Sequence, residues 1–186
     1  MALSTDLKDK IEEFARSNYK EQGQTHGIEH LERTVKLAEH IAIEENANKE
    51  IAVLGAQLHQ IHDAEKVENF LEKLDIDAET VSKITECIYY SDIDNIDSSA
   101  SLEAKVVYDA DKLQVVGPFG LIREIACDTG ERGKSFREAL EHSRKIEKEC
   151  FETLQTDTGK KIGMDHHSVL DEFWDKFDSM DNVNLE

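Results

Sequence analysis

Apolar residues recur every three or four positions along nearly the whole chain, a spacing that predicts helix after helix. Leu7, Ile11, Phe14 and Ala15 set this rhythm behind Ser4–Asp6, a segment able to cap a first helix. Leu31, Val35, Ala38 and Ile41 mark a second helix. Ile51, Leu54, Leu58 and Ile61 mark a third, which would also carry His59, His62 and Asp63, with Asn48 as its N-cap. Val67, Phe70, Leu71 and Leu74 predict a short fourth helix, and Asp77 precedes a fifth carrying Val81, Ile84 and Ile88. The Asp- and Ser-rich stretch 91–101 reads as a loop, after which helix is predicted over Leu102–Val116. Gly117-Pro118-Phe119-Gly120 breaks the chain, because Pro118 lacks an N–H and disfavours helix at Gly117. Helix resumes over Leu121–Ala126, and residues 128–134 (DTGERGK) read as a second loop. Phe136 to Leu154 form a long helix, residues 156–159 turn, and Val169 to Met180 form the last helix. No strand alternation is sustained beyond four residues, and no repeat or linker appears. The prediction is an all-α single domain spanning residues 1–186.

Composition narrows the function. With 22 Lys+Arg against 41 Asp+Glu, the formal net charge is −19. So acidic a surface opposes a broad nucleic-acid footprint and an anionic membrane. Cys87, Cys127 and Cys150 are odd in number, far apart and without a CxxC, which argues against a disulfide framework. No basic-then-apolar leader opens the sequence, and no apolar run approaches the roughly 20 residues of a membrane span. A cytoplasmic location is expected.

Chemistry concentrates where polar residues fall on apolar faces. His30 opens the second helix on the strip of Leu37 and Ile41. His59 lies beside Leu58 and Ile61. Asp111 follows Val107 by four positions and Ala104 by seven, so a carboxylate projects from a face that should be apolar. Burying an unpaired carboxylate is costly, and a metal ion is one of the few partners that offsets it. Imidazole with carboxylate suits Mn, Fe, Co, Ni or Zn, and neighbouring helices of a bundle can bring such ligands to one point.

The segments HGIEHLERTVKLAEHIA (26–42), VLGAQLHQIHDAEK (53–66) and AKVVYDADKLQVVGPFGLIRE (104–124) resemble the HD-domain superfamily of metal-dependent phosphohydrolases. The small bacterial and archaeal type is the nearest in pattern. The resemblance implies an HD-type helical bundle, a divalent metal (Mn, Ni, Co, Fe, Zn or Mg) and a small phosphorylated substrate such as a nucleotide. It assigns His30, His59 and Asp111 as metal ligands. The doublet's Asp would follow His59 directly, but Gln60 stands there, offering an amide oxygen without charge. Tyr90 is a second departure, at a position where relatives carry His. The literal His62-Asp63 doublet offers an alternative register, and Asp63 could supply the missing negative charge. His26 is a candidate general acid or phosphate donor, and Arg33, Lys66, Lys112 and Arg123 are candidate phosphate-binding cations. The alternative function is a degenerate HD domain acting as a binding or scaffold module. A rival motif, HxxEH at residues 26–30, fits inverzincin proteases but places Gly27 inside the helix they require. His142, His166 and His167 read as surface residues, Asp109 as outer-shell or surface, and Phe173, Trp174 and Phe177 as core.

Overall fold

The computed structural model describes residues 3–19, 25–61 and 63–181. His62 lies outside these, so the alternative doublet register cannot be placed at that residue. Among the described residues there are nine helices and no strand: α1 Thr5–Tyr19, α2 Ile28–Glu44, α3 Lys49–Leu58, α4 Ala64–Glu72, α5 Ala78–Tyr89, α6 Leu102–Lys112, α7 Gly117–Gly130, α8 Phe136–Glu152 and α9 Asp157–Asp181. The all-α prediction holds.

Side-chain caps set most of the starts. Asn48 accepts from the Glu50 and Ile51 amides, Asp77 from Thr80, and Ser101 from Ala104. Ser135 and Glu138 form a reciprocal capping box at α8. The main core is built where α2 and α6 pack on α3, with α5 against both α3 and α6. Its buried centre includes Ile41, Leu54, Leu58, Ile84 and Val107. A second, smaller core joins α7, α8 and α9 through Leu121, Leu140, Leu170 and Trp174. Phe173 is 41% exposed, so only part of the expected aromatic cluster is interior.

Five boundaries differ from expectation. Helix α3 stops at Leu58, because Asp63 accepts from the Lys66 amide at 3.0 Å and starts α4 instead. Helix α6 stops at Lys112 and tightens into i→i+3 turns, with the Gln114 amide donating to Asp111 and that of Val115 to Lys112. Pro118 begins α7 rather than delaying it, since the first turn of a helix needs no N–H from proline. Gly117 beside it has φ +83°, and a Cβ there would meet His166 Cβ at 2.7 Å. Finally, α9 starts at Asp157, twelve positions before Val169, and α7 runs through 128–130.

The α9 start explains Asp109. It is fully buried, contrary to the surface or outer-shell reading, and accepts bonds from the Gln155 amide, the Thr156 amide and the Thr156 hydroxyl at 2.6–2.8 Å. Gly159 is required beside it, because a Cβ would overlap the Asp109 carboxylate. Asp109 therefore fastens the first turn of α9 to α6.

Candidate metal centre

Three helices deliver one polar group each to a common point. His30 is the third residue of α2, His59 follows the last residue of α3, and Asp111 is the penultimate residue of α6. Ala104 and Val107, fully buried on the same face, carry Asp111 inward. His30 Nε2 lies 3.3 Å from Asp111 Oδ1, His59 Nε2 lies 3.4 Å from the same oxygen, and the two Nε2 atoms are 3.3 Å apart. Ligands bonded to one ion at about 2.0–2.1 Å in tetrahedral array lie about 3.3–3.4 Å from each other. The donor types and spacings fit a divalent transition ion.

The two imidazoles are not equally prepared. His59 Nδ1 donates to the Ala56 carbonyl at 2.8 Å, with the Tyr19 hydroxyl at 3.1 Å. A carbonyl can only accept, so Nδ1 carries the proton and Nε2 presents its lone pair to the centre. His30 is arranged the other way. Arg123 Nη1 donates to His30 Nδ1 at 2.7 Å. A guanidinium can only donate, so in the neutral ring Nε2 carries the proton. The ring is neutral at physiological pH, because burial lowers its pKa from 6.5 to about 4. The Gln60 amide end, 2.8 Å from His30 Nε2, then meets that proton with its oxygen.

Asp111 is held charged. Burial opposes ionisation, but Lys112 Nζ at 2.8 Å and the two imidazoles outweigh it and keep the carboxyl well below its usual range. Tyr19 is fully buried, its hydroxyl accepts from the Gln60 amide at 3.3 Å, and burial pushes its pKa up. Thus α1 supports both residues of the His59-Gln60 pair, a contribution that the first helix's ordinary amphipathic pattern does not announce.

The centre opens onto a cleft of about 1110 Å³. Gln60, Lys112, Arg123 and His26, four of the sequence candidates, line it. Asp63, Lys66 and Arg33 do not. The Asp63 side chain caps α4 instead, accepting from the Lys66 amide. Lys66 turns to Asn18 and the Phe14 ring, and Arg33 stacks 3.7 Å over Phe119. The protease motif also fails: Gly27 is the N-cap of α2, so His26 lies outside the helix and the two histidines share no helical face.

Sequence reasoning missed the cleft's other wall, made of Arg132, Lys134 and His142. Fully buried Asp128 bonds all three, at 2.9, 3.1 and 2.7 Å, and Arg132 also reaches Glu124. The two basic residues in GERGK were the available signal. His142 is thus part of a network rather than a free surface residue. His167 likewise bonds buried Glu147 at 3.0 Å and stacks on Phe151.

No protein-family model and no curated protein matches the chain. Solved structures do resemble it. A Lactobacillus plantarum protein aligns with TM-score 0.85 at 22% identity, covering 98% of this chain and 100% of that one. Bacillus subtilis YpgQ in complex with ADP aligns with TM-score 0.79 at 24% identity, over 95% and 96% of the two chains. An HD-superfamily hydrolase from Bacillus thuringiensis aligns with TM-score 0.75 at 22% identity, over 96% and 98%. The chain has an HD-domain fold. No helix among the described residues is long and apolar enough to cross a membrane.

Proposed function

We propose that this chain is a metal-dependent phosphohydrolase acting on a small phosphorylated molecule, with a nucleotide as the favoured class. One observation carries the reading: His30, His59 and Asp111 converge within 3.4 Å of one another at the floor of a cleft with cationic walls. The HD-domain fold and the ADP complex of YpgQ, a structural neighbour, support it. His30, His59 and Asp111 would hold the ion. When bound, a divalent ion supplies Lewis-acid polarisation of a phosphoryl oxygen and acidifies water at neutral pH.

The chain's own residues do the rest. Lys112 offsets the Asp111 charge and faces the cleft beside it. Arg123, Arg132 and Lys134 present guanidinium and ammonium donors at hand for phosphate oxygens. Gln60 brings a neutral oxygen where an anionic one would strengthen cation binding. Burial, followed by Arg123, lowers the pKa of His26, so it holds a proton poorly at neutral pH and suits an acceptor or ligand role rather than that of general acid.

The test is metal analysis of protein purified without chelator, followed by a screen of phosphomonoesters and nucleotides with Mn, Co, Ni, Zn and Mg. Turnover is expected, lost in EDTA and in Asp111→Asn. Absence of both bound metal and turnover with every ion defeats the proposal. A second reading, a binding module with a weakened centre, is favoured by Gln60 and by the Arg123 bond to His30. A Gln60→Asp variant separates the two: a large gain in metal affinity and turnover supports decay, whereas loss of turnover supports a working variant.

A further inference from the structure

A second group of ligating atoms comes from His26, Cys127 and Glu131. Cys127 and Glu131 are one turn apart at the end of α7, so both side chains share a face. His26 reaches them from the turn before α2. Cys127 Sγ lies 3.7 Å from Glu131 Oε2 and 4.0 Å from His26 Nδ1, and the last two atoms are 4.0 Å apart. A tetrahedral site with metal–sulfur and metal–nitrogen bonds of about 2.3 and 2.0 Å needs separations of about 3.3–3.6 Å. Side-chain adjustments of a few tenths of an ångström close the difference.

The surroundings are arranged for such a site. Thr25 donates its amide and its hydroxyl to Glu131 Oε1, at 3.1 and 2.9 Å, and so fixes the carboxylate while Oε2 faces the thiol; its Oγ1 accepts from His26 Nδ1 at 3.0 Å, a bond that coordination through Nδ1 would replace. The C-terminal end of a helix carries partial negative charge, which favours a cation there. The two cations that act on this group, Arg123 and Arg132, are both paired with buried Glu124, and Arg132 also with Asp128. Cys127 is 1% exposed, and burial raises its thiol pKa, so coordination would release a proton to solvent.

We propose that His26, Cys127 and Glu131 bind a zinc-class divalent ion, distinct from any ion at His30, His59 and Asp111. Thiolate with imidazole selects zinc or cobalt over magnesium, manganese or calcium. Three protein ligands leave a fourth position for water. The ion staples the residue 25–27 turn to the end of α7. The His26 and His30 rings are only 5.9 Å apart, so the staple also fixes the start of the helix that carries His30.

The experiment is cobalt titration of the chelator-stripped full chain, read in the near ultraviolet, where a thiolate ligand gives a charge-transfer band. The first centre contains no sulfur, so the band reports only the second. It is expected in the wild type and in Asp111→Asn, which keeps the outcome independent of the hydrolase proposal. Cys127→Ser, nearly isosteric, is expected to abolish it and to lower bound zinc by one ion per chain. His26→Ala and Glu131→Gln, which remove or weaken a direct ligand, are each expected to weaken binding by at least the roughly 10–100-fold that loss of a supporting residue causes. X-ray absorption of the zinc-loaded wild type should show one sulfur neighbour at about 2.3 Å. A wild type without the band and without a sulfur neighbour overturns the proposal. So does a band that survives Cys127→Ser and disappears in Cys87→Ser or Cys150→Ser.

Discussion

Replacing Arg123 with Met should tighten metal binding, although Arg123 is also a candidate phosphate contact. The reason lies in the His30 ring. Arg123 donates to Nδ1 at 2.7 Å and thereby places the ring proton on Nε2, the atom that an ion needs bare. Loading the centre requires the proton to move to Nδ1, where it would point at a guanidinium. The free protein must therefore give up a charge-assisted bond of about 1.5–3 kcal/mol, which is about 10–150-fold in affinity. Met preserves the length and apolar packing of the side chain while removing both the bond and the positive charge.

The substitution has a separate cost. Arg123 also bonds Glu124 at 3.1 Å and the Thr25 carbonyl at 3.2 Å, so buried Glu124 is left with Arg132 alone. Breaking a buried pair costs about 3–5 kcal/mol, and a lower melting temperature is expected. Zinc and manganese dissociation constants, measured against a fluorescent chelator with folding checked by circular dichroism, read the effect. Affinity that is unchanged or weaker in a folded Arg123→Met protein refutes the tautomer argument.

Four further outcomes are expected. The His30 pKa is lowered from 6.5 to about 4, so its neutral form contributes stability that is fully present above pH 6.5. That contribution, about 3 kcal/mol, is lost as pH falls from 6.5 towards 4, and denaturant midpoints in EDTA should decline over that window in wild type but less in His30→Asn. Asp63→Ala should cost about 1 kcal/mol through the lost α4 cap and leave metal content unchanged. Gly55→Ala should destabilise by about 1–3 kcal/mol in thermal melts, since its Cβ would stand 2.6 Å from Cys87 Cβ where α3 meets α5. Calorimetry with ADP should show binding that weakens at least tenfold in EDTA; equal binding with and without ion would refute a role for the ion in anion capture.

The helical rhythm was enough to locate all nine helices, because each buries a stripe at regular spacing. Their ends were less visible. The α9 start depends on Asp109, 48 positions upstream of Asp157, and no local pattern shows a carboxylate arriving from another helix. The convergence of His30, His59 and Asp111 was legible because Asp111 interrupts an apolar face and because of the family resemblance. Asp63 misled for the opposite reason. Asp63 lies four positions after His59, which in a continuous helix would put both on one face, but the helix ends before it and the carboxylate becomes a cap. Arg132, Lys134 and His142 could not be linked from sequence, since what unites them is buried Asp128.

The basic wall does not by itself make the cleft attractive to phosphate. Lys112 is paired with Asp111 at 2.8 Å, Arg123 with Glu124 at 3.1 Å, and Lys134 and Arg132 with Asp128 at 3.1 and 2.9 Å. Each cation already meets an acid, within a chain of net charge −19. An approaching nucleotide therefore encounters oriented donors but little net positive potential. A divalent ion at Asp111 would add two charges at the cleft floor and release Lys112 from part of its task of neutralising that carboxylate. Under this arrangement the ion matters to substrate capture as well as to bond cleavage, because it converts a wall of compensated cations into an anion site. The acidic surface would then oppose polyanions that the cleft cannot enclose. That is the behaviour expected of an enzyme selecting small phosphorylated molecules over nucleic acid.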